Sequence, residues 1–250
     1  MANTYDLSGR TVLVTGGAQG LGRSIAEQAL GSGATVCIAD LRNSAEVGKE
    51  IGVYGVDLDV SEPASVEPGV AAALEHLGRI DVLVNNAGIS GLGDPKPFLG
   101  TSLEEWNAVL GVNLTGPWLM ASAVAPGMIE RQDGVIINVA SVGGVLALRG
   151  RGPYCVSKAG LVQMTKVLAA EYAGQGIRVN AIGPGWMDTP FIRWRLEDPE
   201  LAAPMLAKIP LGRVCTPDEI AEMVLFLASP GAAYLNGMHL VADGAMSTTI

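Results

Sequence analysis

"TVLVTGGAQGLGRS", residues 11–24, sets a five-residue β-branched and apolar run directly against a cluster of glycines. "TVLVT" is too short for a buried helix and carries no charge, so it reads as a strand covered on both faces. The glycines at 16, 20 and 22, with Gly17 beside them, let the backbone turn tightly and come close to a ligand. Helical patterning then runs from about residue 20 to 31. A strand, a glycine-rich turn and a helix in that order point unpaired N–H groups and the positive helix end at the turn. An anionic group such as a pyrophosphate fits there.

Working outward, "TVCIAD" (35–40), "GVYGVDLDV" (52–60), "IDVLVNN" (80–86), "GVIINVAS" (134–141), "IRVNAIGPG" (177–185) and "GMHLVADG" (237–244) read as further strands. Helical stretches are predicted near 20–31, 62–77, 102–128, 154–174 and 217–228. Thr216, Pro217 and Glu219 give the last of these an N-cap, a first-position proline and a capping-box acid. Alternation with short connections predicts an α/β fold, a single-domain Rossmann-type doubly wound parallel sheet flanked by helices. Residues 186–213 break the rhythm. Ligands bind beyond the carboxyl ends of such strands, so this stretch is predicted to be a substrate lid.

Nearly half of the 250 residues are hydrophobic, only 16% are charged, and the formal net charge is −9. That implies one sizeable core and disfavours a nucleic-acid partner. The polar start "MANTYDLSGR" lacks the layout of a signal peptide, and no wholly apolar stretch reaches the about 18 residues of a membrane span. Cys37, Cys155 and Cys215 are too few and too scattered for a disulfide framework or a metal set. His76 and His239 are far apart, and no metal is expected. A cytoplasmic protein with no membrane partner is the expectation.

Asp40 ends the second strand, eighteen residues past Gly22. A carboxylate there accepts hydrogen bonds from a ribose 2′-hydroxyl and repels a 2′-phosphate. Arg42 could neutralise such a phosphate, but neither Gln19 nor Leu41 beside the same loop adds a second positive charge. NAD is therefore expected over NADP.

Tyr154 and Lys158, in "GPYCVSKAG", share one helix face. A phenol titrates near about 10 in water, and a fixed cation beside it favours the phenolate. With the T-G-x-x-x-G-x-G spacing, "NNAG" at 85–88 and Ser141 after a strand, these landmarks resemble the short-chain dehydrogenase/reductase family over essentially the whole chain. The resemblance implies a catalytic set of Asn113, Ser141, Tyr154 and Lys158. It implies that Gly16, Gly20, Leu21 and Gly22 line the pyrophosphate loop, with Gln19 and Leu41 also at the cofactor, and that Asp40 holds the adenosine ribose. Asp59 and Val60 would flank the adenine. Asn86, Ala87 and Gly88 would pass beside the cofactor, with Asn85 structural, and Pro184, Trp186 and Thr189 would meet the nicotinamide end. Tyr154 would exchange the hydroxyl proton while hydride moves, Ser141 would position the substrate oxygen, and Lys158 would also bind the nicotinamide ribose. Pro117 removes the usual helical partner of the Asn113 carbonyl. That carbonyl either holds a water linking Lys158 to solvent or marks a simple kink.

The resemblance implies that substrate choice comes from the lid and the loops beside the catalytic residues, with Ile89, Ser90, residues 142–144, Trp186, Phe191, Trp194 and Met205 as candidates. Arg149 and Arg151 precede Tyr154, and Arg193 and Arg195 lie in the lid. Two arginine pairs facing one cleft suit a carboxylate, phosphate or sulfonate, unless they pair with Glu197 and Asp198 or support a subunit contact. Ser141, Tyr154, Arg151, Trp186 and Arg195 are the substrate-contact candidates. The expected reaction is NAD-dependent hydride transfer with a secondary alcohol, polyol or sugar hydroxyl, or the matching ketone. A 3-oxoacyl-thioester reductase and a non-catalytic nucleotide sensor are the alternatives. The resemblance also implies a homotetramer.

Overall fold

β1 (Thr11–Thr15) is buried at every residue, as a run without a polar face must be. In a computed structural model, residues 5–189, 192–193 and 196–248 are described. β1 pairs in parallel with β2 (Thr35–Asp40) on one side and β4 (Val82–Asn85) on the other. β3 (Tyr54–Asp57), β5 (Gly134–Val139), β6 (Ile177–Pro184) and β7 (His239–Ala242) complete a seven-stranded parallel sheet in the order β3-β2-β1-β4-β5-β6-β7. The strand order reverses between β1 and β4. Two crossovers leave in opposite directions there and open a crevice above the strand ends.

Helices cover both faces. α1 (Gly20–Gly31) and α8 (Pro217–Ala228) pack on one face, through Ile25, Ala26, Ile220 and Val224 against Val12, Val14 and Ile137. α3 (Pro63–Leu77), α5 (Gly116–Arg131) and part of α6 (Gly152–Tyr172) cover the other, through Val70, Met120, Val124 and Ala169 against Leu13, Leu83 and Ile136. The predicted capping box forms: Thr216 Oγ1 accepts from the Glu219 N–H, and the Glu219 carboxylate accepts from the Thr216 N–H.

The chain departs from its pattern in three places. α2 (Ser44–Ile51) forms where no helix was expected. Its polar, short sequence holds because Asp57 Oδ1 accepts from the Ser44 N–H at 3.0 Å and Gly55 lies against the Ser44 carbonyl. The helix predicted at 102–128 is α4 (Leu103–Leu110), a π-turn at Gly111–Thr115, and α5. The widened turn carries the chain past Pro117, which has no N–H to continue the α ladder. By length and hydropathy the continuous stretch Leu103–Arg131 would cross a bilayer, but here Met120, Ala121, Val124 and Met128 spend their apolarity on the core. In the lid region, α7 (Pro199–Leu206) forms, and a parallel bridge between Met187 and Cys215 fastens the segment at its base.

Candidate active site

Thr15, the last residue of β1, ties two strand ends together. Its hydroxyl donates to the Val84 carbonyl (3.3 Å) and accepts from the N–H groups of Asn86 (3.0 Å) and Ala87 (3.1 Å). Asn86 Nδ2 donates to the carbonyls of Thr15 (2.9 Å) and Gly16 (3.0 Å), which fixes the start of the glycine loop. Gly16 sits at φ +64°, a conformation that favours glycine. A Cβ at Gly22 would stand 2.0 Å from the Gly16 carbonyl oxygen, so only glycine lets α1 come this close to the strand. The first turn of α1 has no acidic side chain. Its N–H groups and dipole therefore face a backbone cradle suited to a dinucleotide pyrophosphate.

Asp40 closes this cradle laterally. Its Oδ2 accepts from the Ala18 N–H (3.0 Å) and its Oδ1 from the Leu41 N–H (2.8 Å), so the carboxylate is fixed at the end of β2. Asp59 accepts from the N–H and hydroxyl of Ser61 (2.9 and 2.6 Å), while Val60 is buried against Gly116. Both follow β3 directly in the chain.

The end of β5 delivers Ser141, whose hydroxyl caps a 3-10 turn by accepting from the Gly143 N–H (3.0 Å). α6 presents Tyr154 and, one turn on, Lys158. Lys158 is 4% exposed, and its Nζ donates to the Val139 carbonyl at 2.8 Å and lies 5.8 Å from the centre of the Tyr154 ring. Burial lowers this ammonium from 10.5 to about 8. The Tyr154 phenol is shifted upward, chiefly by burial, against the downward pull of Ser141 and of the Arg151 charge. Lys158 and a cationic nicotinamide were expected to favour the phenolate; in the free protein burial works the other way. Desolvation disfavours the charged form of both groups, the phenolate and the ammonium.

Asn113 is fully buried at the π-turn. Its Oδ1 accepts from the Ile89 N–H (2.8 Å), and its Nδ2 donates to the Ile89 carbonyl (2.8 Å) and to Ser157 Oγ (3.1 Å). Ser157 donates in turn to the Tyr154 carbonyl at 2.7 Å. The sequence reading missed Ser157, and no motif marks it. It matters because it joins the loop after β4 to the turn of α6 that carries Tyr154. Asn85 Nδ2 donates to Asn138 Oδ1 (2.9 Å) inside the core, the structural place expected for it.

Ser141, Tyr154 and Lys158 line one cleft of about 1040 Å³; Asp40, Leu41, Asp59, Val60 and Asn113 are not among its lining residues. Gln19, Leu21, Asn86, Gly88, Ser141, Arg151, Tyr154, Lys158, Pro184, Trp186 and Thr189 all line it, together with the substrate-end candidates Ile89, Ser90, Val142 and Met205. Gly16, Gly20, Gly22 and Ala87 form the adjoining loop and strand end. Phe191, Trp194 and Arg195 lie outside the described residues. Arg193 pairs with Asp188 at 3.1 Å, and not with Glu197 or Asp198. It is absent from the cleft lining. Lys208, after α7, joins the lining unforeseen; only the fold of the lid brings it back over the strands. Among the described residues the charged groups lining the cleft are Arg149, Arg151, Lys158 and Lys208, all cations in an acidic chain.

A parallel sheet with a glycine cradle at its switch point and a Ser-Tyr-Lys cluster beside it defines a nicotinamide-nucleotide oxidoreductase. Residues 16–247 match a family model described as enoyl-(acyl carrier protein) reductase. The chain is 42% identical over 246 residues to 2-(R)-hydroxypropyl-CoM dehydrogenase of Xanthobacter autotrophicus, covering 94% of this chain and 98% of that protein. It is 40% identical over 247 residues to D-threitol dehydrogenase of Mycolicibacterium smegmatis, covering 96% and 94%. A solved structure from Beutenbergia cavernae, provisionally assigned as an NAD(P)-dependent gluconate 5-dehydrogenase and holding NADP at low occupancy, superposes with a TM-score of 0.89. It shares 35% identity and covers 98% of this chain and 99% of that one. The chain belongs to the short-chain dehydrogenase/reductase family.

Proposed function

We infer that the protein is an NAD-preferring dehydrogenase of a secondary alcohol that carries an anionic group. The observation that carries this reading is the cleft's charge: every charged side chain lining it among the described residues is cationic. A bidentate guanidinium gives both affinity and orientation to a carboxylate, phosphate or sulfonate. The similarity to a dehydrogenase of a CoM-linked alcohol, itself anionic, points the same way.

Bound nicotinamide would supply the hydride acceptor. The residues of the chain handle the proton: Ser141 holds the substrate hydroxyl, Tyr154 takes its proton, and the Lys158 ammonium stabilises the phenolate as it forms. Lys158 would also hold the nicotinamide ribose. The Asn113 carbonyl, at the π-turn before Pro117, would seat a water that leads the proton from Lys158 to solvent. Pro184, Trp186 and Thr189 would close over the nicotinamide end, while Asp59 and Val60 would border the adenine. The reading extends to a cytoplasmic homotetramer, in which the exposed Val156 and Val167 of α6 would be covered by a second subunit.

A matched pair of probes tests the substrate class: 2-hydroxypropyl-CoM, and the same thioether with ethyl in place of ethanesulfonate. NADH formation should favour the sulfonate by at least about tenfold in kcat/KM, and Arg151→Ala should remove most of that preference. Equal turnover of both probes, or better turnover of neutral D-threitol, would overturn the assignment. For the coenzyme, kcat/KM should be higher with NAD than with NADP, and Asp40→Ala should narrow the ratio by about tenfold or more, one repulsive contact being worth about 1.4 kcal/mol or more. A wild type that prefers NADP, and still does so after Arg42→Ala, contradicts this.

A further inference from the structure

Glu105 is a carboxylate only 6% exposed at the third position of α4, where Ser102 caps the helix by accepting from the Glu105 N–H at 3.1 Å. An acid at that position commonly turns back to the N-cap backbone, but this one reaches across to the loop after β4. Its Oε1 accepts from the Leu92 N–H at 3.4 Å, and its Oε2 forms an ion pair with Lys96 Nζ at 2.7 Å. Gly91 stands between this carboxylate and the cleft at φ +151°. A Cβ there would lie 2.9 Å from Glu105 Oε1 and 3.3 Å from Arg151 Nη1, so the two charged groups face each other across the space that a side chain at 91 would fill. Arg151 itself is held by donating from Nη1 to the Gly93 carbonyl at 3.3 Å.

Arg151 thus has a buried acid on one side and the cleft on the other. An acid this close, if its charge were uncompensated, would offset much of the guanidinium's attraction for an incoming anion. Lys96 supplies the compensation from outside the cleft, at the far end of the same loop. We propose that the Lys96–Glu105 pair is a specificity-determining element that keeps Arg151 electrostatically available for the anionic group of the substrate. The proposal rests on the anionic-substrate reading above. Glu105 and Lys96 act through Arg151 and touch no reacting atom; they are positioning residues. The loop that carries Ile89 and Ser90 to the cleft is fastened by the same pair, so substrate contact and charge balance share one anchor.

The signs of the effects make the test specific. With 2-hydroxypropyl-CoM and its neutral ethyl analogue as probes, the readout is the ratio of their kcat/KM values. Lys96→Met should lower the anion-to-neutral ratio by about threefold, mainly through KM of the anionic probe, because Glu105 then loses the cation that offsets it. Glu105→Gln, which keeps an acceptor for the Leu92 N–H, should raise the ratio by a similar factor. The double variant Lys96→Met/Glu105→Gln should return it close to the wild-type value. A loop that only needs the pair for its shape gives the opposite pattern, with both single variants losing and the double variant losing most; that result overturns the proposal. A high wild-type ratio that Arg151→Ala abolishes, but that none of these three variants moves, overturns the proposal and leaves the substrate reading standing. A wild-type ratio of one removes that reading and this proposal with it.

Discussion

Replacing Tyr154 with phenylalanine is expected to lower kcat for the anionic alcohol by about 10³-fold, a loss typical of removing a positioned general acid–base. The phenol is the one side chain that faces the cleft with a hydroxyl donor from Ser141 on one side and a cationic side chain one helical turn away. In the free protein burial pushes that phenol upward, so it begins as the protonated partner, ready to give a proton to a ketone. In the oxidative direction it must release that proton to act as base. The Lys158 charge, and the positive charge of oxidised nicotinamide when bound, then supply the stabilisation that the free site lacks. The measurement is single-turnover NADH formation, read beside NADH binding by fluorescence. Loss of chemistry with retained binding is the expected pair of results, and undiminished turnover would remove Tyr154 from the reaction.

The second large effect concerns Lys158 and runs in opposite directions for activity and stability. Lys158→Met should abolish measurable turnover, since the same ammonium is asked to stabilise phenolate and hold ribose. It should also stabilise the ligand-free fold near neutral pH. An ammonium that titrates at 10.5 in the unfolded chain and at about 8 when folded binds its proton more weakly in the native state. The resulting penalty is complete below the folded value, fades as pH rises from there towards the unfolded one, and is absent above both. At about 1.4 kcal/mol per pH unit it is on the order of 3 kcal/mol. The methionine variant sheds it but leaves the Val139 carbonyl without its donor, at a cost of about 1 kcal/mol. Denaturant unfolding at fixed protein concentration should therefore show a gain of about 2 kcal/mol near pH 7, falling close to zero near pH 10. A variant less stable than wild type at neutral pH, or a gain that does not shrink with pH, would show that Lys158 is not held as a costly buried charge.

Both predictions turn on burial, which pattern reading sees poorly at single polar residues. The spacing of Tyr154 and Lys158 marked the pair, and helix geometry placed both on one face. The sign of the phenol's shift did not follow, because it depends on how far the folded chain excludes solvent from the ring. Asp40 was legible, being the last residue of a strand whose neighbours are fixed by parallel pairing. Ser157 and Lys208 were not. Ser157 matters only because Asn113, forty-four residues earlier, lies within hydrogen-bonding reach, and Lys208 only because the chain after α7 borders the cleft. Arg193 looked like a cleft cation by its neighbours in sequence, but it is taken by Asp188.

By itself the sequence determined the order of the strands, the parallel sheet and the glycine cradle. Hydrophobic periodicity, β-branching and the need for positive φ are local properties, and each leaves its mark within a few residues. Tertiary structure decided the charge state of the catalytic groups, which arginines reach the cleft, and the partner that Glu105 takes. Desolvation and Coulomb interactions act through space over several ångströms, between residues such as Gly91, Glu105 and Arg151 that the chain itself keeps far apart.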